Sequence, residues 1–124
     1  MESIRWLESD IQSFIVLKLR DLLQDEPGSY IFWGDMGGMK TTVRTASKAK
    51  ALGLEQGIPD LFLMFPGHRL VCIELKRKGG VVSGEQKKKH AAMQEMGFPV
   101  YVVKAKTPAD GWSQVLTILQ RYGI

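Results

Sequence analysis

A chain of 124 residues with 44% hydrophobic content can bury one sizeable core and is short for two, so a single domain over residues 1–124 is expected. No run approaches the ~18 apolar residues of a membrane span, and Glu2 and Glu8 stand where a signal region would be basic and apolar, so a cytoplasmic protein with no membrane partner is expected. The net charge of +4 is unevenly spread: residues 1–35 hold seven acids against Arg5, Lys18 and Arg20, whereas segments 40–50 and 76–90 hold ten bases against one acid. Such clustering favours a polyanion over a small acidic metabolite, because phosphate contacts need several Lys or Arg on one surface. The single cysteine, Cys72, has no partner for an internal disulfide and reads as a small buried hydrophobe.

Ile4, Leu7, Ile11, Phe14, Ile15 and Leu22 recur at spacings of three and four, which predicts an amphipathic helix over residues 2–23, stopping near Pro27-Gly28. Glu8 lies beside that stripe, on the row Glu8, Gln12, Ile15, Leu19, at the edge of the buried face. Tyr30 to Trp33 reads as a strand of β-formers, broken by Gly34 to Gly38. Residues 34–42, GDMGGMKTT, approach the phosphate-cradling pattern G-x-x-x-x-G-K-[ST], but Met39 stands where the second glycine must let the backbone meet a phosphate, so that function is set aside. Residues 40–50, KTTVRTASKAK, suit a loop or short helix that orders on a DNA backbone and suit an exposed solvated segment equally well.

Two apolar runs, Leu61 to Phe65 and Leu70 to Leu75, flank the turn signal Pro66-Gly67-His68-Arg69 and predict a β-hairpin. Alternation puts Cys72, Glu74 and Lys76 on one face of the second strand and Val71, Ile73 and Leu75 on the other. If Phe65 faces Arg69, Asp60 comes opposite Glu74; if Phe65 faces Val71, it comes opposite Lys76. Two carboxylates and an ammonium on one half-buried face cost several kcal/mol unless something compensates them. A hard divalent cation would, since Mg²⁺ takes one or two carboxylates with waters and phosphate oxygens. The bland alternative is a surface ion pair worth about 0 to 1 kcal/mol.

Gly79-Gly80 ends that strand. Ser83 with Gln86 three residues on is a capping-box signal for a helix running to about Met96, with Ala91, Ala92, Met93 and Met96 inward, Lys87, Lys88 and Lys89 outward, and His90 a surface residue or DNA contact. Pro99 to Val103 is a continuous apolar run, expected for a strand buried on both faces and pairing in parallel across the helical crossover. Thr107-Pro108 starts a last helix with Trp112, Val115, Leu116, Leu119 and Tyr122 as its stripe.

Pro59-Asp60, a gap of thirteen residues, then Glu74-Leu75-Lys76 match the PD-(D/E)XK nuclease signature, and Gly57-Ile58-Pro59-Asp60-Leu61 with Ile73-Glu74-Leu75-Lys76 resembles its VRR-NUC branch. Ser83-Gly84-Glu85-Gln86 and Gly97 continue the likeness. The resemblance implies a restriction-endonuclease-like α/β fold, a mixed sheet flanked by helices in the order α-β-β-β-α-β-α. It also implies a Mg²⁺- or Mn²⁺-dependent endodeoxyribonuclease acting on structured DNA, in a bacterial or phage-infected cell.

On that resemblance Asp60 and Glu74 would bind metal with the carbonyl of Leu75, Lys76 would orient the water or stabilise the phosphate charge, and Glu8 would supply a first-helix acid, with Glu2 its competitor. Gln86 has two open readings, a capping side chain or a group at the edge of the site. The bases assigned to DNA are Lys40, Arg44, Lys48, Lys50, Arg77, Lys78, Lys87 and Lys88. Small stand-alone relatives imply a homodimer on four-way junctions; Trp6, Phe32, Trp33 and Phe98, large apolar groups near element ends, read as core first and as interface candidates second. A non-catalytic nucleic-acid-binding module and a sequence-specific restriction nuclease are the competing classes; the first has no use for the Asp60, Glu74, Lys76 set, and the second lacks room for a base-reading element.

Overall fold

The computed structural model describes residues 5–35, 47, 48, 50–53 and 55–124; Glu2, Ile4, Met39, Lys40 and Arg44 lie outside the described residues. The main elements follow the expected order, α1 (Glu8–Asp25), β1 (Ile31–Gly34), β2 (Leu61–Phe65), β3 (Arg69–Arg77), α2 (Gly84–Glu95), β4 (Val100–Ala105) and α3 (Pro108–Gln120). The sheet has the strand order β1-β2-β3-β4, antiparallel through β3 and parallel between β3 and β4.

Helix α1 starts at Glu8, six residues later than its apolar spacing predicts, because the Asp10 carboxylate accepts the Leu7 N–H at 2.9 Å and ends the helix there. Leu7 is exposed, and the buried stripe is Ile11, Ile15 and Leu19. The Tyr30 hydroxyl donates to the Leu19 carbonyl at 2.6 Å, tying the start of β1 to this helix.

Between β2 and β3 the loop is Pro66-Gly67-His68, with Gly67 and His68 both at positive φ. Phe65 therefore pairs with Arg69 and Leu61 with Ile73, the first of the two registers open in the sequence. The face carrying Leu61, Leu63, Phe65, Val71, Ile73, Leu75, Val103 and Ala105 packs on α1 and α3 in one apolar core. Gly111 lets those helices approach: a Cβ there would sit 3.0 Å from Ile11 Cγ2 and 3.2 Å from Ala105 Cβ.

Two expectations about burial are corrected. Strand β4 is an edge strand whose Val102 and Lys104 are exposed, so its apolar run is buried on one face only. On α2, Ala91, Ala92 and Met96 face solvent, and the inward row is Gln86, His90 and Met93. Among the interface candidates, Trp33 and Phe98 are partly exposed while Phe32 packs against the core.

Candidate active site

Strand β3 is buried on both faces from Val71 to Lys76. Its second face, opposite the apolar core, carries Glu74 at 1% exposure and Lys76 at 8%, with Lys76 Nζ 3.8 Å from Glu74 Oε2. Asp60 closes the set one position before β2, in line with Glu74 across the hairpin. Its Oδ2 accepts the Leu75 N–H at 2.7 Å. Leu75 thus touches the site through its amide, while its side chain fills the core on the other face.

The loop before Asp60 is pressed against α2. Gly57 has a φ of +80°, and a Cβ there would lie 2.6 Å from the Glu85 carbonyl oxygen, so only glycine fits. Lys89 and Glu55 pair at 3.5 Å across the same junction. This contact sets α2 over the carboxylates.

Gln86 makes the capping contacts of the first reading and also reaches Glu74. Its Oε1 accepts the Ser83 N–H at 2.8 Å and its backbone N–H donates to Ser83 Oγ at 3.2 Å, completing the capping box. Its Nε2 donates to Glu74 Oε2 at 3.2 Å. One turn on, His90 is 6% exposed, with Nε2 3.2 Å from Glu74 Oε1. The expectation of a surface His90 is therefore wrong. The signal was present, since Gln86 and His90 four apart share a helix face; the nearby alanines and methionines outweighed it.

Burial, then the hydrogen bond and charge of Asp60, push the Glu74 carboxyl up to about 9; Lys76 opposes this and Glu8 adds to it. Glu74 accordingly keeps its proton at neutral pH in the metal-free protein. Burial, helped by Lys76, lowers the His90 imidazole against the pull of Asp60, so the ring is neutral at pH 7. No buried side-chain nitrogen or oxygen among the described residues lacks a partner.

Glu8, the first residue of α1, is exposed, but its Oε1 and Lys76 Cβ both lie 3.4 Å from where a Cβ on Gly80 would stand. That places its carboxylate at the rim. Of the residues assigned to DNA, Arg77 and Lys78 end β3, Lys87 and Lys88 lie on the outer side of α2, and Lys48 and Lys50 are exposed in a short helical stretch. Lys88 is held by Glu85 at 3.9 Å.

The VRR-NUC domain family matches residues 17–107 of this chain. The chain belongs to the VRR-NUC family. That span holds Asp60, Glu74, Lys76, Gln86 and His90 and leaves out Glu8. A solved structure described as a VRR-NUC domain protein aligns with a TM-score of 0.65 at 20% identity, over 97% of this chain and 91% of its own. Another, described as a VRR-NUC domain, aligns at 0.55 and 17% identity over 93% and 96%. Both are similar in fold. No curated protein matches the chain. VRR-NUC is a nuclease-type domain of the PD-(D/E)XK superfamily, which makes DNA the partner class. No described helix is long and apolar enough to cross a membrane.

Proposed function

We propose that this VRR-NUC domain is a Mg²⁺- or Mn²⁺-dependent DNA endonuclease that cuts branched DNA, four-way junctions above all, as a homodimer. The observation that carries the reading is the buried Glu74 with half-buried Asp60 in line with it across the hairpin and Lys76 Nζ 3.8 Å from Glu74 Oε2, an arrangement in which burial and Asp60 push the Glu74 carboxyl up. A proton retained between two acids is what such a pair requires when no cation lies with them. The donor set fits a hard ion by its chemistry, since its side chains supply carboxylate oxygens. Two carboxylates and a backbone carbonyl from Leu75, with open positions for water and phosphate, suit Mg²⁺.

A divalent ion bound there supplies Lewis acidity toward the phosphate and lowers the pKa of a water. The protein's own groups do the rest. The Leu75 N–H fixes the rotamer of Asp60. Gln86 and His90 hold one Glu74 oxygen each, so that carboxylate is oriented before substrate arrives. The Lys76 ammonium, almost shut off from solvent, orients the attacking water or offsets the charge that develops on the phosphate. Glu8 completes the rim as a further acid, and Lys40, Arg44, Lys48, Lys50, Arg77, Lys78, Lys87 and Lys88 meet the DNA backbone.

Labelled duplex, flap and four-way junction incubated with Mg²⁺, Mn²⁺ or EDTA test this. Cleavage with either ion, none in EDTA, and paired symmetric nicks in the junction are expected. Cutting that survives EDTA sinks metal dependence; preference for plain duplex sinks the junction. A scattering mass of 13.9 kDa with and without junction DNA sinks the dimer.

A further inference from the structure

At the C-terminal ends of β3 and β4 lies a cleft of about 850 Å³ whose walls include Arg5, Trp6, Arg77, Lys78 and Lys106. Its volume falls within the roughly 300–1,000 Å³ of pockets that hold small organic ligands. Two backbone bonds shape it, Lys78 N–H to the Ala105 carbonyl and Gly80 N–H to the Arg77 carbonyl, each 2.9 Å. The turn from Arg77 to Gly80 also borders the carboxylate site, because Gly80 packs beside Lys76 and Glu8. Cleft and site thus share a wall.

Lys76, Lys88 and Lys89 each pair with an acid, but among the described residues Arg5, Arg77, Lys78 and Lys106 form no ion pair. Of the nearby acids, Asp110 accepts the Lys106 N–H and Asp10 the Leu7 N–H, each at 2.9 Å, and Glu8 stands beside Gly80 at the carboxylate site. Four cations around one concavity, none of them in an ion pair among the described residues, make a surface that a chain of phosphates complements. The half-buried Trp6 indole is the partition between this cleft and an adjoining groove lined by Phe14 and Pro108. An aromatic ring among phosphate-binding cations is the combination that takes unpaired nucleotides, since any base has a π-face to stack and a base inside a duplex has none free.

We propose that this cleft binds single-stranded DNA continuous with the strand at the carboxylate site, with phosphates on Arg5, Arg77, Lys78 and Lys106 and one unpaired base on Trp6. The inference deepens the nuclease reading and rests on it for the polymer, not for hydrolysis. Because the wall is shared, the cleft favours branched DNA, where a nucleotide at the branch point can leave its pair next to the cut.

The test is binding in EDTA, where no hydrolysis is needed, of a labelled oligothymidylate and of a blunt duplex by fluorescence anisotropy over a range of salt. Trp6→Ala is expected to weaken oligothymidylate binding roughly 5- to 150-fold, with Trp6→Phe close to wild type and the blunt duplex changed less than about twofold. Arg5→Ala combined with Lys106→Ala is expected to flatten the salt slope on the single strand by about 1.4, two phosphates at ~0.7 each. Undiminished single-strand binding by Trp6→Ala, an equal loss on blunt duplex, or an unchanged salt slope in the double variant overturns the proposal. If Trp6→Ala has no thermal unfolding transition, the double variant, whose two side chains are exposed, decides alone. Protein that binds oligothymidylate through Trp6 yet cuts nothing keeps the cleft and sinks the nuclease; protein that cuts DNA while indifferent to Trp6 and the double variant does the reverse.

Discussion

Val71, Ile73 and Leu75 on one face of β3 and Cys72, Glu74 and Lys76 on the other are all between 0 and 8% exposed, yet they are buried by different means. The first three are covered by apolar side chains of α1 and α3, each such burial contributing about 1.5–3 kcal/mol. Glu74 is covered by α2, whose inward groups at this point are an amide and an imidazole, and Lys76 lies beside Glu74 and Gly80. Taking ions out of water there costs several kcal/mol unless they are neutralised or paired. Equal burial therefore hides opposite energetics: one face holds the sheet together, and the other stores charge frustration that a proton relieves in the metal-free protein.

The most severe way to break the contrast is on the apolar face. Ile73→Ala should cost about 2–5 kcal/mol of unfolding free energy by urea titration, whereas Glu74→Gln, which replaces a protonated acid by an amide of the same shape, should stay within about 1 kcal/mol of wild type when both are measured near the ordinary carboxylate pKa of 4.5, where the wild-type side chain has not begun to lose its contribution. Comparable losses in both would mean that the polar face is as much a part of the structural core as the apolar one.

Activity should invert that order. Asp60→Asn, Glu74→Gln and Lys76→Ala each should lower junction cleavage at saturating Mg²⁺ by at least ~10²-fold, about 2.7 kcal/mol in the barrier, with circular dichroism unchanged. Lys76→Arg should recover only part, because a planar fork places its donors differently from an ammonium. Near wild-type rates in the Asp60 or Glu74 variant would falsify the site assignment.

A smaller effect sharpens the contrast through pH. The Glu74 carboxyl is raised from 4.5 to about 9 in the folded protein, so between those values the folded state binds more protons than the unfolded one. Metal-free stability from this group is fully present below about 4.5 and declines as pH rises toward 9, by at most about 1.4 kcal/mol per unit. Saturating Mg²⁺ should flatten the decline, and Glu74→Gln should remove it. Melting temperatures of metal-free protein that rise with pH over that window would contradict the assigned shift.

The smallest change separates the two tasks of Gln86. Gln86→Glu preserves a capping-box residue facing Ser83 but sets another carboxylate beside Glu74, so stability near pH 7 should fall less than with Gln86→Ala while Mg²⁺ affinity changes roughly tenfold. Calorimetric titration with Mg²⁺ reads the affinity, and a melt reads the cap. Identical behaviour of the two variants in both measurements would dissolve the distinction.

Much of this fold was legible because its signals are local. Turn residues at 66–69, the Ser83 and Gln86 pair and Thr107-Pro108 act on neighbours a few positions away, so they name the hairpin, α2 and α3 without knowledge of the rest. Strand alternation likewise assigns Glu74 and Lys76 to one face wherever β3 lies. Tertiary structure decided what depends on the far side of each element. Two hairpin registers satisfied the sequence, and the three-residue loop with Gly67 and His68 at positive φ set Asp60 opposite Glu74 instead of Lys76. Val102 faces solvent because β4 is the sheet's edge, which a run of apolar residues does not announce. His90 became a buried partner of Glu74 because Gly57 lets the preceding loop close on α2, and only then does a polar helix find its inward side in a carboxylate. Periodicity counts apolar residues and so finds faces that pack against hydrocarbon; a face that packs against a charge becomes visible when the chain has brought that charge to it.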